Sequence, residues 1–275
     1  MREAETIIYR VRACNTSADS ENRIHDDRVA AELGFRGGLV PGVTVYGYMT
    51  APLVERYGMD YLERGSMRVR FLQPFYEGDQ VTVRAEADET SRPAKITITA
   101  ERDDGTVCAT AVATAGQRAD CVSEIKIEEY ARVALAAEAD RPVASVESLV
   151  PGAALGTVIE RPDGDQPRLL GQMEERLQVY YGDDAVAHPA VLLAMSNKAL
   201  ACNFRLGPWI HAASELVNLG VAKAKEEIEA RARIRECFER KGHEFVVLDV
   251  LLLAEGTRPV QHVRHTAIYR PKTRS

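Results

Sequence analysis

Residues 19–58 read DSENRIHDDRVAAELGFRGGLVPGVTVYGYMTAPLVERYG, and this stretch decides the fold. In its second part, Val43, Tyr46, Gly47 and Thr50 recur at helical spacing, and the first charge comes only at Glu55. That pattern predicts a long helix over 43–56 that is buried on most sides.

The first part of the stretch predicts a short helix over HDDRVAAELGF, with Gly34 just past its end. A turn that carries Asn22 and His25 precedes this helix, and RGGLVPG leads from it into the long one. Asn22 is a good helix cap, whereas a histidine near pKa 6.5 is suited to moving protons at neutral pH. Both the structural and the chemical interpretation are open at this point.

Alternating segments surround this helical region. ETIIYRVRAC comes before it, and four further candidate strands follow it: SMRVRFLQPFY, DQVTVRAEADE, AKITITAERDD and VCATAVATAG. Turn signals such as YEGD and DDGT separate them. Residues 1–118 are therefore expected to form an α+β domain in which a curled antiparallel sheet wraps a central helix.

The rest of the chain repeats this order of elements. Residues 119–150 are expected to be a linker with a short helix in SEIKIEEYARVALAAEA, and residues 151–275 a second, divergent domain. In that domain, ALGTVIERP and ERLQVYYGD are predicted strands, and 189–203 is the central helix with Pro189 in its first turn. EEIEARARIREC has helical composition, but its place in the repeat favours a strand. The two sheets are expected to join edge to edge, which covers open strand edges.

Composition excludes several classes of protein. The 275 residues carry a formal net charge of −6, which argues against a nucleic-acid partner. No apolar run approaches the ~20 residues of a membrane span, and MREAETIIYR does not resemble a secretion signal. The five cysteines form no CxxC pair and suggest reduced thiols. A cytoplasmic protein without membrane or nucleic-acid partners is expected.

The first half resembles the MaoC-like hydratases and dehydratases, whose motif is D-x-N-P-x-H followed by a short helix and an H-G before the long helix. The matching residues are Asn22, Ile24, His25, Ala30, Ala31, Gly34, Phe35 and Gly42. Three positions depart from the motif: Ser20 replaces the aspartate, Arg23 the proline and Pro41 the second histidine. The resemblance covers residues 5–118 well and implies a double-hotdog fold for the whole chain.

The resemblance also implies a chemistry. In the family, an aspartate and a histidine share the proton transfers that add or remove water beside an acyl thioester, and a helix N-terminus holds the carbonyl oxygen. Here it assigns catalysis to His25 and Asn22, with Asp19 in place of the missing aspartate. It assigns substrate contact to Ser20, Gly42, Val43, Tyr46 and His188. Neither a metal nor a cofactor is expected, although the substrate itself can carry coenzyme A.

Other functions stay open. A hotdog acyl-CoA thioesterase would need a carboxylate near the long helix, where Glu55 and Glu63 lie toward its far end. The serine at position 20 also allows a different proton-transfer reaction on a small or natural-product substrate, or a non-catalytic ligand-binding protein. Two fused repeats already supply the usual hotdog pairing, so a monomer and a homodimer are both compatible with the sequence.

Two further features have weaker interpretations. A metal site from His211, His262 and His265 is not expected, because a spacing of three on a strand directs the last two to opposite faces. Arg64, Arg68 and Arg70 form a basic patch that suits either a phosphate or a solvated strand face.

Overall fold

The computed structural model describes residues 6–88, 90–91, 93–116 and 125–272. Within them, one antiparallel sheet of ten strands surrounds two central helices. The strands are β1 (Thr6–Arg12), β2 (Ser66–Phe71), β3 (Gln80–Asp88), β4 (Ala94–Glu101), β5 (Val107–Ala115), β6 (Val158–Glu160), β7 (Ile210–Asn218), β8 (Ile228–Arg240), β9 (His243–Ala254) and β10 (Arg258–Arg270). The helices are α1 (Asp27–Glu32), α2 (Gly42–Tyr57), α3 (Met59–Arg64), α4 (Gln166–Gln172) and α5 (Pro189–Ala201).

The two central helices, α2 and α5, are where the sequence predicts them. Every residue of α2 from Val43 to Val54 is buried, as its apolar composition requires. The helix begins directly after Pro41, whose backbone is extended. It ends at Gly58, where φ is +56°. In α5, Pro189 occupies the first turn and the His188 ring caps it by accepting the Ala190 N–H.

The order of strands shows the internal repeat. Across the sheet the strands run β1-β3-β4-β5-β2-β7-β10-β9-β8-β6. Counting outward from the centre, β2, β5, β4, β3 and β1 correspond to β7, β10, β9, β8 and β6. The halves join where β2 pairs with β7, from Ser66 opposite Val217 to Arg70 opposite Ala213. The predicted edge-to-edge junction is therefore confirmed, and so is the strand at EEIEARARIREC, which is β8.

The predicted helix between the halves is wrong. From residue 125 onward that segment is extended, with only short 3-10 turns at Ile127–Glu129 and Glu138–Asp140. Between residues 125 and 143, Tyr130 is the one buried side chain. A helix with no continuous face to bury is marginal in water. Tyr130 packs against Leu219, Leu251 and Leu253 on the sheet. The domain boundaries at 118 and 150 remain predictions.

A second prediction also fails, at ERLQVYYGD. These residues form a loop with a 3-10 turn at Gln178–Tyr180, because the Glu175 carboxylate accepts the N–H groups of Arg176 and Leu177 and bends the chain there. Helix α4, which precedes the loop, was not predicted. Among the described residues, no helix is both long and apolar enough to cross a bilayer. Cys121 lies outside the described residues.

Candidate active site

Two adjoining cavities lie between the halves of the chain. One is an open cleft of about 920 Å³ and the other a smaller pocket of about 250 Å³. Four residues line both cavities: Asn22 and His25 from the first half, and Asn197 and Trp209 from the second. We call the place where these four residues meet the junction.

The two cavities differ in character. The pocket runs from the junction to the start of α2 and is largely apolar, with walls that include Phe35, Leu39, Phe71, Phe75 and Ile268. The cleft carries charges of both signs, from Arg141, Lys198, Arg205, Glu21, Glu138 and Glu160. Of its cations, Lys198 pairs with Glu160, whereas Arg205 forms no ion pair with a described side chain. The pocket therefore suits an apolar part of a ligand, and the cleft suits a charged part.

Asn22 fastens the two halves together at the junction. Its Oδ1 accepts the backbone N–H of Trp209 at 3.1 Å, and its Nδ2 donates to the Trp209 carbonyl oxygen at 3.0 Å. The same Oδ1 lies 3.4 Å from the Ile24 nitrogen and caps the 3-10 turn Arg23–His25. Asn22 is therefore a cap, but of this 3-10 turn, since Asp26 caps α1. The Asn22 amide also fixes the position of the second half.

His25 presents one ring nitrogen, Nε2, to the junction, and its one contact there with a described residue is a long one from Asn22. Its Nδ1 lies 2.6 Å from the Leu39 carbonyl oxygen, which can only accept, so in the neutral ring Nδ1 carries the proton. The lone pair is then on Nε2, which lies 3.5 Å from Asn22 Nδ2. Burial lowers the pKa of His25, and the Leu39 carbonyl offsets this only in part. At neutral pH the ring is therefore an uncharged base.

The start of α2 supplies hydrogen-bond donors beside His25. Gly42 lines the pocket and Val43 the cleft. Their N–H groups belong to the first helical turn, which has no partner within the helix, and neither finds an acceptor among the residues that the structure describes. With the helix dipole, these groups favour an oxygen that gains negative charge.

Among the described residues, no carboxylate replaces the aspartate of the family motif as a partner of His25. Ser20 and Glu21 line the cleft, whereas Asp19 is exposed and is not part of either cavity wall. Asp26 caps α1 through the Val29 N–H, and Asp27 accepts the Gly38 N–H, so both order the loop. In the described part of the chain, no carboxylate forms a hydrogen bond or ion pair with His25.

A buried chain of two histidines and a serine backs the pocket. His211 Nε2 lies 2.8 Å from Ser214 Oγ, which lies 3.1 Å from His265 Nδ1. Burial lowers the pKa of both rings, that of His265 to about 3, so both are neutral. His211 lies against the start of α2, where a Cβ on Gly42 would come within 2.8 Å of Nδ1. This close approach requires glycine at position 42.

His262 points to the opposite face of β10, as its spacing predicts. It contacts Asp249 at 2.6 Å and the Tyr130 hydroxyl at 3.0 Å. Burial raises the pKa of Asp249, but His262 and Arg233 outweigh burial and bring the pKa to about 2. Among the described residues, no group of three or more His, Cys, Asp or Glu side chains is arranged to hold a metal ion.

Two predicted substrate contacts, Tyr46 and His188, lie away from both cavities in a sealed part of the core. His188 is fully buried, and its Nε2 is 3.4 Å from the Glu175 carboxylate. The Tyr180 ring lies against it at 4.5 Å between centroids. Tyr46 is also fully buried, and its hydroxyl is unpaired among the described residues. The structure does not bring either side chain to the junction.

Sequence reasoning named His188 from the second half but missed Asn197 and Trp209, which line both cavities. The available signals were the polar run from Ser196 to Lys198 within helix 189–203 and the single tryptophan of the chain. The predicted basic patch is not part of either cavity wall. Arg68 from that patch instead pairs with Glu215 across the strand junction, at 3.0 Å.

Comparison with known structures identifies the fold. No protein-family model matches the chain, and no curated protein matches it. A MaoC-domain dehydratase from Chloroflexus aurantiacus superposes with a TM-score of 0.72 over 99% of this chain and 97% of that one, at 10% identity. A Mycobacterium tuberculosis protein described as a double hotdog gives 0.66 over 98% and 96%, at 13% identity.

The chain has a double-hotdog fold. An oleoyl thioesterase from Lactobacillus plantarum shares it at a TM-score of 0.53, with 10% identity over 98% of this chain and 99% of that one. The expected fold class is therefore confirmed, and the neighbours with this fold include both MaoC-like dehydratases and thioesterases. At these identities the double-hotdog fold is what the comparison establishes, and the reaction depends on the site.

Proposed function

We propose that this chain is a MaoC-like hydratase or dehydratase that acts on an acyl thioester, with His25 as its acid/base group. The supporting observation is the position of the His25 Nε2 lone pair. It faces the junction of an apolar pocket and a charged cleft, beside the unpaired N–H groups of Gly42 and Val43. An acyl group fits the pocket, and a phosphate-bearing carrier such as coenzyme A fits the cleft beside Arg141 and Arg205.

The reaction needs only water besides the substrate. In the hydration direction, Nε2 of His25 accepts a proton from water while the water oxygen bonds to the β-carbon. The electrons of the double bond move toward the thioester carbonyl, whose oxygen the helix N–H groups stabilise. The imidazolium then donates that proton to the α-carbon and returns to its neutral form. Because one group makes both transfers, hydrogen and hydroxyl add to the same face.

The thioesterase alternative uses the same pocket in a different way. There, water attacks the carbonyl carbon and a thiol leaves. The structural likeness to a thioesterase supports this reading. Against it, no carboxylate in the described residues contacts His25 or the unpaired N–H groups at the start of α2 to activate such a water. We therefore favour the lyase.

One assay separates the two reactions. The full chain is incubated with crotonyl-CoA and with longer trans-2-enoyl-CoA substrates, and loss of the enoyl absorbance and release of free thiol are followed together. We expect loss of the double bond without thiol release, fastest for short acyl groups because the pocket is small. If free thiol is released faster than the double bond is lost, the protein is a thioesterase and not a lyase.

A further inference from the structure

Several polar groups at the junction are already hydrogen-bonded within the protein. The Asn22 amide is bound to the Trp209 backbone on both sides, which also occupies the Trp209 N–H and carbonyl. His25 Nδ1 is bound to Leu39. Of the side chains that line both cavities, three polar groups remain for a ligand: the indole N–H of Trp209, the amide of Asn197, and His25 Nε2, whose one described contact is the long 3.5 Å approach of Asn22 Nδ2.

The Asn197 amide is unpaired within the protein. Its Oδ1 is buried and has no hydrogen-bond partner, and in the described part of the chain its Nδ2 donates to no acceptor. An unmade hydrogen bond at a half-buried amide is unfavourable for folding. Because the two amide atoms exchange by rotation about the last side-chain bond, the group can offer either a donor or an acceptor to the cavity.

Asn203, just beyond the end of the same helix, shows the opposite arrangement. Its Oδ1 accepts the Gly156 N–H at 2.7 Å. Its Nδ2 donates to the carbonyl oxygens of Gly156 and Ala199 at 3.0 and 2.9 Å. Where an asparagine holds this region together, its amide is fully paired. Asn197 is not paired in this way, and it lines both cavities instead.

We infer that Asn197 holds the oxygen of the water that adds, or of the hydroxyl that leaves, opposite His25. This inference rests on the proposed function. The thioester carbonyl has its own donors in the Gly42 and Val43 N–H groups. The water oxygen needs a partner besides His25, and the Asn197 amide can both donate to water and accept from it, whereas the Trp209 indole can only donate. An amide does not exchange protons at neutral pH, so Asn197 is a positioning residue and both proton transfers stay with His25.

The placement also explains how the site functions with serine at position 20. The family aspartate belongs to the loop that carries His25, whereas Asn197 reaches the junction from α5 of the other half. Each half then supplies one of the two groups that hold the water. The site is incomplete without the second repeat.

The test compares Asn197→Leu, which keeps the volume and removes the amide, with Asn203→Leu as the matched control. Hydration of crotonyl-CoA and thermal unfolding are measured for both, with Asn197→Ala as a second variant. We expect Asn197→Leu and Asn197→Ala to lower kcat by about 10²-fold. KM should stay within about threefold, because the water is not part of thioester binding. Their unfolding temperature should be unchanged or, for leucine, higher.

Asn203→Leu should behave in the reverse way, with a lower unfolding temperature and kcat within about threefold of the parent. If Asn197→Leu and Asn197→Ala keep full kcat while His25→Ala is inactive, the inference is overturned and the proposed function stands. If His25→Ala is also fully active, or if the parent does not hydrate the thioester, the proposed function falls and the inference with it.

Discussion

Two histidines in this chain lie next to the start of a central helix, and their surroundings are opposite. His25 is bound to Leu39, three residues before α2. Its Nε2 faces two cavities, and among the described residues no carboxylate is bonded to it. His188 caps α5 with no exposed surface, and its Nε2 faces Glu175. The pair that resembles a catalytic dyad is therefore the one that no substrate can reach.

The comparison shows that access to a cavity, more than contact with a carboxylate, distinguishes the candidate catalytic histidine from the structural one. Around His188 the interior is filled by Tyr180 and Met173, and Gly47 of α2 packs against both His188 and Met173. Burial raises the pKa of Glu175, but hydrogen bonds from His188 and from two backbone N–H groups outweigh it and lower the pKa overall. The carboxylate is thus kept charged by its fixed partners, which is a structural role. We call this group the sealed cluster.

The largest expected effect is on chemistry at the open histidine. His25→Ala should lower turnover of the enoyl thioester by roughly 10²–10⁴, the usual contribution of a positioned acid/base group. The free energy of unfolding should change little, because the ring makes one backbone hydrogen bond at the edge of a cavity. Steady-state kinetics and urea unfolding of the same preparation check both parts. Unchanged turnover would remove His25 from the mechanism.

The next effect is on stability at the sealed histidine. His188→Ala should lower the free energy of unfolding by about 3 kcal/mol, because it leaves the buried Glu175 carboxylate with only its backbone donors. Turnover per folded molecule should stay within about threefold of the parent, since His188 lies outside both cavities. Chemical denaturation with activity corrected for the folded fraction measures this. A specific loss of turnover at full stability would show that the sealed cluster takes part in the reaction.

Two glycines of α2 allow the same comparison with smaller changes. A Cβ at Gly47 would come within 2.4 Å of the Met173 methyl and 3.1 Å of the His188 ring, in the sealed cluster. A Cβ at Gly42 would press on His211 and on Phe71 in the pocket. We expect Gly47→Ala to cost about 1–3 kcal/mol of stability through overpacking, with normal kinetics.

Gly42→Ala should instead lower kcat/KM by roughly tenfold, because the substrate carbonyl is displaced from the helix N–H groups. Its stability should also fall, by about 1–3 kcal/mol, because the added Cβ presses on the buried His211 ring. Equal effects of the two substitutions on kinetics would mean that the helix start is not part of the substrate site.

The two regions should also respond differently to acid. Because the pKa of His25 lies below 6.5 and the neutral ring is the base, kcat/KM should hold its value down to about pH 6.5. Below the lowered pKa it should fall by up to about tenfold per pH unit. An acid limb with its midpoint above pH 7 would identify a different group.

The contribution of Glu175 to stability should change at a lower pH than the activity does. Its pKa is depressed in the folded chain, so its stabilising contribution is complete above about pH 4.5, the ordinary value, and is lost as the pH falls through the folded value. The difference in unfolding free energy between the parent and Glu175→Gln should therefore stay constant from neutral pH to about pH 4.5 and shrink below it. A difference that already shrinks near pH 6 would contradict the assigned charge state.

The sequence predicted those parts of the fold that depend on local spacing. The apolar run of α2, Pro189 at the start of α5 and the alternation of the strands each constrain the backbone within a few residues, and all three are present. Both local failures, the helix expected after residue 123 and the strand at 175–183, are places where side-chain contacts override spacing. Tyr130 is bound to the sheet, and Glu175 accepts the N–H groups that follow it.

The sequence likewise determined that Asn22 and His25 share a turn before a buried helix. Only the tertiary structure decided what they face, because Asn22 meets Trp209 across 187 residues of chain and Asn197 arrives from the other repeat. Which histidine borders a cavity also depends on the size of the side chains that pack around it. Ala194 of the second half lines the cleft beside His25, whereas the Tyr180 ring fills the space beside His188. Such volumes are set when the two repeats pack, and no local pattern in the chain records them.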